Sequence, residues 1–165
     1  AVDPFAIVEA KYYDGALYVH ELNYDSENKL RESMSNEQLQ RVRNEEEGLI
    51  KWLFKKLNIS YDADIVCDNN RISKFKALRA SGYAYAKVTT KWAGSIVDGI
   101  DVLNGIKVYY TSESKNIEEE QNEYSRKVDK YNKVLEQPED DNNHAMDAIR
   151  YIGLDLQRGG IIKTI

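Results

Sequence analysis

Residues 63–88, ADIVCDNNRISKFKALRASGYAYAKV, decide the fold class of this chain. Ala63 to Cys67 is a short apolar run that predicts a strand ending at Asp68. Asn69 and Asn70 start a helix with Ile72, Phe75 and Leu78 at helical spacing, stopped by Ser81-Gly82. Tyr83 to Val88 predicts a second strand. Strand, helix, strand in 26 residues is the repeating unit of a sheet covered by helices, with ligands at the carboxyl ends of its strands. Asp68 occupies one of those ends.

On the N-terminal side, Phe5 to Ala10 predicts a strand, Asp14-Gly15 a tight hairpin, and Leu17, Val19 and Leu22 a second strand. Ser35-Asn36-Glu37-Gln38 has the capping-box spacing, Ser35 as N-cap and Gln38 at the third helical position. Leu39, Val42, Leu49, Ile50, Leu53, Phe54 and Leu57 then predict one long helix to about Asn58, with Gly48 a flaw worth roughly 1 kcal/mol. On the C-terminal side, Ser95 caps a helix closed by Asn104-Gly105, and Ile106, Val108 and Tyr110 alternate as a strand. Ser114 to about Tyr124 predicts a charged helix, Arg126 to Gln137 an exposed hairpin, and Asp141 the start of the last helix. The expectation is an α/β domain over residues 1–158, a mixed central sheet with helices on both faces, followed by a tail at 159–165.

The 165 residues suffice for one domain that buries roughly 70% of its unfolded surface. Hydrophobic residues at 42% and charged residues at 31% are the balance of a globular protein. A single cysteine, Cys67, and two histidines exclude a disulfide framework and a Cys/His zinc cluster, and predict a reducing compartment. No apolar run reaches membrane-span length and none reads as a signal peptide.

Charge is distributed unevenly. The chain has net charge −5, yet residues 69–97 hold no acidic residue and six cations, leaving −11 elsewhere. Arg71, Lys74, Lys87 and Lys91 belong to this block and are candidate contacts to a phosphate backbone; Arg126, Lys127 and Lys130 extend the basic surface. A solvated helix face explains the same block equally well.

Two acidic side chains stand out. Asp68 ends a strand, where the plainest role is capping the next helix. Asp147 lies one turn into the last helix beside Ala145 and Ala148, with His144 and Tyr151 on its face at i−3 and i+4. Its plain role is a solvated charge at the core margin. Together, two such carboxylates can converge on Mg2+ or Mn2+, hard ions that take oxygen ligands, and two ions would require a third carboxylate. His144 is a further candidate ligand or proton carrier.

Four segments resemble the C-terminal nuclease domain of the large terminase subunit of tailed phages, a ribonuclease H-like fold. They are Asp3-Pro4-Phe5-Ala6-Ile7-Val8, Val66-Cys67-Asp68, Lys91 to Ile100, and Asn142-Asn143-His144-Ala145-Met146-Asp147-Ala148-Ile149-Arg150-Tyr151. The resemblance implies that Asp68 and Asp147 bind two Mg2+ or Mn2+ ions, with His144 an accessory active-site residue. It implies an endonuclease that cuts double-stranded DNA during genome packaging. Its implied partners are an ATPase domain of the same polypeptide, the portal and the small terminase subunit, in the host cell cytoplasm. The family's first metal-binding Asp belongs to an opening strand upstream of Ala1, so the sheet is expected without that strand. Many relatives carry a Glu where this chain has Asn69-Asn70-Arg71. Alternatives are another ribonuclease H-like nuclease, of resolvase or transposase type, and a docking module that has lost its metal site.

Overall fold

The computed structural model describes residues 3–42, 46–131 and 143–162, with side chains at 46–47 and 124–131 outside that description. The chain is mixed α/β. Its elements are β1 (Ile7–Tyr13), β2 (Ala16–Asn23), α1 (Glu27–Glu32), α2 (Asn36–Val42), α3 (Glu46–Lys56), β3 (Ile65–Cys67), α4 (Ile72–Ala80), β4 (Ala86–Val88), α5 (Ser95–Asn104), β5 (Lys107–Tyr110), α6 (Lys115–Tyr131) and α7 (His144–Arg158). They form two compact units, one of residues 1–3 and 25–91, the other of residues 4–24 and 92–165.

In the second unit, β1 and β2 form the expected hairpin. Asp14 and Gly15 both take positive φ, 49° and 78°, the backbone signature of a tight turn that matches strand twist. β1 pairs antiparallel with β2, and β2 pairs parallel with β5. Alternation then sorts the side chains by face. Val8, Ala10 and Tyr12 of β1 with Leu17 and Val19 of β2 meet Ile117 of α6 and Ala145 and Ile149 of α7 in one core cluster. Ala145 is fully buried in this cluster. At Gly99 a Cβ would run into the Arg150 side chain, so the close approach of α5 to α7 at this point suits glycine.

In the first unit, β3 and β4 form a parallel pair with α4 between them in sequence. The Ser35 capping box closes in both directions: Gln38 N–H donates to Ser35 Oγ at 3.2 Å and Ser35 N–H to Gln38 Oε1 at 2.9 Å. The single long helix expected from Ser35 to Asn58 is instead α2 and α3. The reason lies at Gly48, where a Cβ would sit 2.6 Å from the Val42 carbonyl oxygen, the two helices approaching by backbone. Helical periodicity continues across this join because both helices bury the same kind of stripe, with Val42, Leu49, Ile50, Leu53 and Phe54 all inside.

Other expectations need correction. The strands form a three-stranded and a two-stranded sheet among the described residues, not one continuous ladder. Periodicity identifies strands but does not choose their partners. The hairpin expected from Arg126 is helix as far as Tyr131, and residues 132–142, with the expected helix start at Asp141, lie outside the described residues. Ser95 is the first residue of α5 and Gly94, at φ 84°, is its N-cap. The helix α1, capped by Ser26, is short and buries only Leu30, too little to show as a periodic pattern.

Candidate functional site

Asp68 stands at the carboxyl end of β3, immediately before a 3-10 turn at Asn69–Arg71. Its Oδ1 accepts the Asn70 N–H at 3.0 Å, the capping bond its position predicts, and also a 2.7 Å bond from Lys91 Nζ. Burial pushes its pKa up most strongly, but the Asn70 N–H, the bonded Lys91 and the nearby Arg71 together hold it below the ordinary carboxylate value. Asp68 is therefore an ionised, half-buried carboxylate at a strand end, enclosed by basic residues. Next to it, burial and the Asp68 charge raise the Cys67 thiol to about 11, so this cysteine is a protonated, half-buried group.

The basic block is only partly a surface. Arg71 is exposed and reaches Asp3 at 3.5 Å. Lys87 is exposed on β4. Lys91 faces Asp68. Lys74, expected on a phosphate-binding face, is 8% exposed and ion-paired with Glu27, because α4 turns that position inward. Arg126, Lys127 and Lys130 fall on α6, with side chains outside the described residues.

Asp147 and His144 lie in the first turn of α7, in the second unit. Asp147 Oδ1 accepts a 2.6 Å bond from Arg150, whose side chain is nearly buried while that of Asp147 is 44% exposed. Arg150 crosses the Gly99 surface of α5, so helix packing fixes the cation and the cation fixes the carboxylate. The start of α7 is anchored by a residue that sequence reasoning missed. Glu120, 3% exposed on α6, accepts the Ala145 N–H at 3.2 Å, the Met146 N–H at 2.8 Å and the Tyr24 hydroxyl. These satisfy helix N–H groups that have no partner within the helix. Burial raises Glu120 above the ordinary carboxylate value, opposed by the Tyr24 hydroxyl, the two N–H groups and the charge of His144. Glu21 anchors α6 similarly, through Asn116 N–H at 3.0 Å and Ile117 N–H at 3.1 Å.

Asp147-x-x-Arg150 was visible as an i, i+3 pair in the sequence. Glu120 was not, since it lies 25 positions from the N–H it caps.

The carboxylates of Asp68, in the first unit, and of Asp147, in the second, suit a hard divalent ion in kind, and the His144 imidazole suits a softer one such as Mn2+. Each carboxylate commits Oδ1 to a cationic side chain and keeps Oδ2 outside those bonds. They do not make up a full set: among the described residues, no three His, Cys, Asp or Glu side chains are grouped to hold a metal. No helix among the described residues is long and apolar enough to cross a membrane.

Comparison of the chain with protein-family models, curated proteins and solved structures gave no match.

Proposed function

We propose that this chain is a nuclease domain of the type found in large terminase subunits, acting on double-stranded DNA. The observation that carries the reading is Asp68: an ionised carboxylate at the carboxyl end of a parallel strand, with Arg71, Lys87 and Lys91 on and beside its elements. That is where open α/β sheets place ligands, and the cations suit a phosphate backbone. The ordered resemblance through Asp3-Pro4, Asp68, Lys91 to Ile100 and Asn142 to Tyr151 supplies the rest. The reading brings with it a ribonuclease H-like fold, supported by an antiparallel hairpin followed by strands that pair in parallel and alternate with helices.

In this reading Asp68 of the first unit, and Asp147 and His144 of the second, are the residues that would hold Mg2+ or Mn2+. The chemistry so supplied is activation of a water and neutralisation of charge at the scissile phosphodiester. Of this chain's own residues, Lys91 and the Asn70 N–H help to hold Asp68 ionised, and Arg150 pairs with Asp147. Duplex DNA would be gripped through its phosphates, and an ATPase domain of the same polypeptide, the portal and the small subunit would be its packaging partners in the host cytoplasm.

The test is plasmid cleavage in Mg2+ or Mn2+. Asp147→Ala and Asp68→Asn are each expected to lower the rate by about 100-fold or more, on the order of 3 kcal/mol. Equal cutting by wild type and both variants would refute the assignment.

A second reading is favoured by the two internal ion pairs, which already neutralise both carboxylates: a docking module on the same fold. Calorimetric titration with Mn2+ separates the two, since saturable binding lost in Asp68→Asn belongs to the nuclease alone.

A further inference from the structure

The outward face of the β1-β2-β5 sheet carries chemistry that the nuclease reading leaves unused. Its inner face is filled by α6 and α7 residues, as described above. On the outer face the register aligns Lys11, Tyr18 and Tyr109 in one row across the three strands, and Tyr13, Ala16 and Lys107 in the next. Successive rows on one face are about 7 Å apart along a strand. Tyr18 and Tyr109 stack on each other, centroids 5.3 Å apart and planes 18° from parallel. Both rings are about half exposed, at 47% and 48%, and Tyr13 is 74% exposed. Lys11 and Lys107 are exposed and, among the described residues, paired with no carboxylate. Glu9 lies on the same face, opposite His20.

A stacked aromatic pair flanked by cations that no carboxylate pairs among the described residues is unlike an ordinary solvated sheet face. Exposed apolar rings gain by covering their faces, and cations beside them favour a ligand that brings both a flat ring and a negative charge. Nucleotides in a single strand do this at every step. Duplex DNA does not, because its ring faces are already stacked inside the helix.

We propose that this face binds single-stranded DNA, with bases extending the Tyr18–Tyr109 stack and Lys11 and Lys107 holding the flanking phosphates. The choice of DNA over RNA rests on the nuclease reading; the strand contact itself does not.

The experiment is fluorescence anisotropy with a labelled 20-nucleotide oligo-dT, without divalent ions, in wild-type and Asp147→Ala backgrounds. Because no ion and no cleavage are needed, its failure is separable from failure of the nuclease reading. Expected are saturable binding in both backgrounds and at least about tenfold weaker binding of the duplex. The double variant Tyr18→Ala/Tyr109→Ala is expected to lose about tenfold or more at unchanged melting temperature, the rings being on the surface. Lys11→Gln/Lys107→Gln is expected to flatten the slope of log affinity against log salt by about 1.4, at ~0.7 per phosphate contact. The proposal is overturned by no binding, by equal binding to the tyrosine variant, or by a preference for the duplex. Tighter binding of oligo-rU overturns it as stated for DNA. Sedimentation supplies the last check: a dimer that disappears in Tyr109→Ala would give the face to a second copy of the chain and overturn the proposal.

Discussion

Gly48 shows how a residue changes meaning once its neighbours are known. By propensity it weakens a helix, and Gly48→Ala should stabilise by about 1 kcal/mol. In the structure the added Cβ would meet the Val42 carbonyl oxygen at 2.6 Å, backbone that cannot rotate away. Gly48→Ala is therefore expected to destabilise, by about 1–3 kcal/mol in urea unfolding, as an overpacked site does. Cys67 allows a second forecast at this scale. With its thiol raised to about 11, labelling by a disulfide reagent at neutral pH should be slow in the native protein and fast after unfolding. Rapid native labelling at pH 7 would contradict the burial that raises it. The capping role of Asp68 was legible because this residue ends a strand and precedes Asn69-Asn70. Its ion pair with Lys91 was not, since that contact spans 23 positions.

At the scale of elements, helix ends were read where their signals are local. Ser35 and Gln38 lie three residues apart, and the box closes as spaced. Ser35→Ala is expected to cost about 1 kcal/mol, read as a lower urea midpoint at unchanged m-value. The cap of α7 is of the other kind, a carboxylate carried in from α6. Glu120→Ala strips partners from Ala145 and Met146 N–H and from the Tyr24 hydroxyl, and is expected to cost about 2 kcal/mol or more. Its pH dependence has a definite sign. The folded pKa of Glu120 is raised, so the folded state binds its proton more tightly than the unfolded chain. The contribution of this group to stability is largest below the unfolded value and declines as pH rises through the folded one. Asp68 runs the opposite way: its pKa is lowered, so its contribution is present above the unfolded value and lost as pH falls through the folded one. Subtracting Glu120→Ala from wild-type stability across pH 3 to 7 should reveal the first trend, and Asp68→Asn the second.

The molecule as a whole divides its core between two units, each with its own sheet. Leu53 is 1% exposed in the first unit, and Leu53→Ala is expected to cost about 2–5 kcal/mol there. Hydrogen exchange should then show amides of α3 and α4 losing more protection than those of β1, β2 and α7. Equal loss throughout would mean that the units unfold together.

The order and type of most elements were written in the sequence, because hairpin turns, capping boxes and apolar periods act between residues close along the chain. Only the tertiary structure decided which strands share a ladder and where the long apolar stripe after Ser35 breaks into two helices. It also turned Lys74 inward and set Lys91, Arg150 and Glu120 against their charged or polar partners. Each of those outcomes depends on groups meeting across space, where close packing and the cost of burying an unpaired charge select one arrangement from many that the local pattern allows.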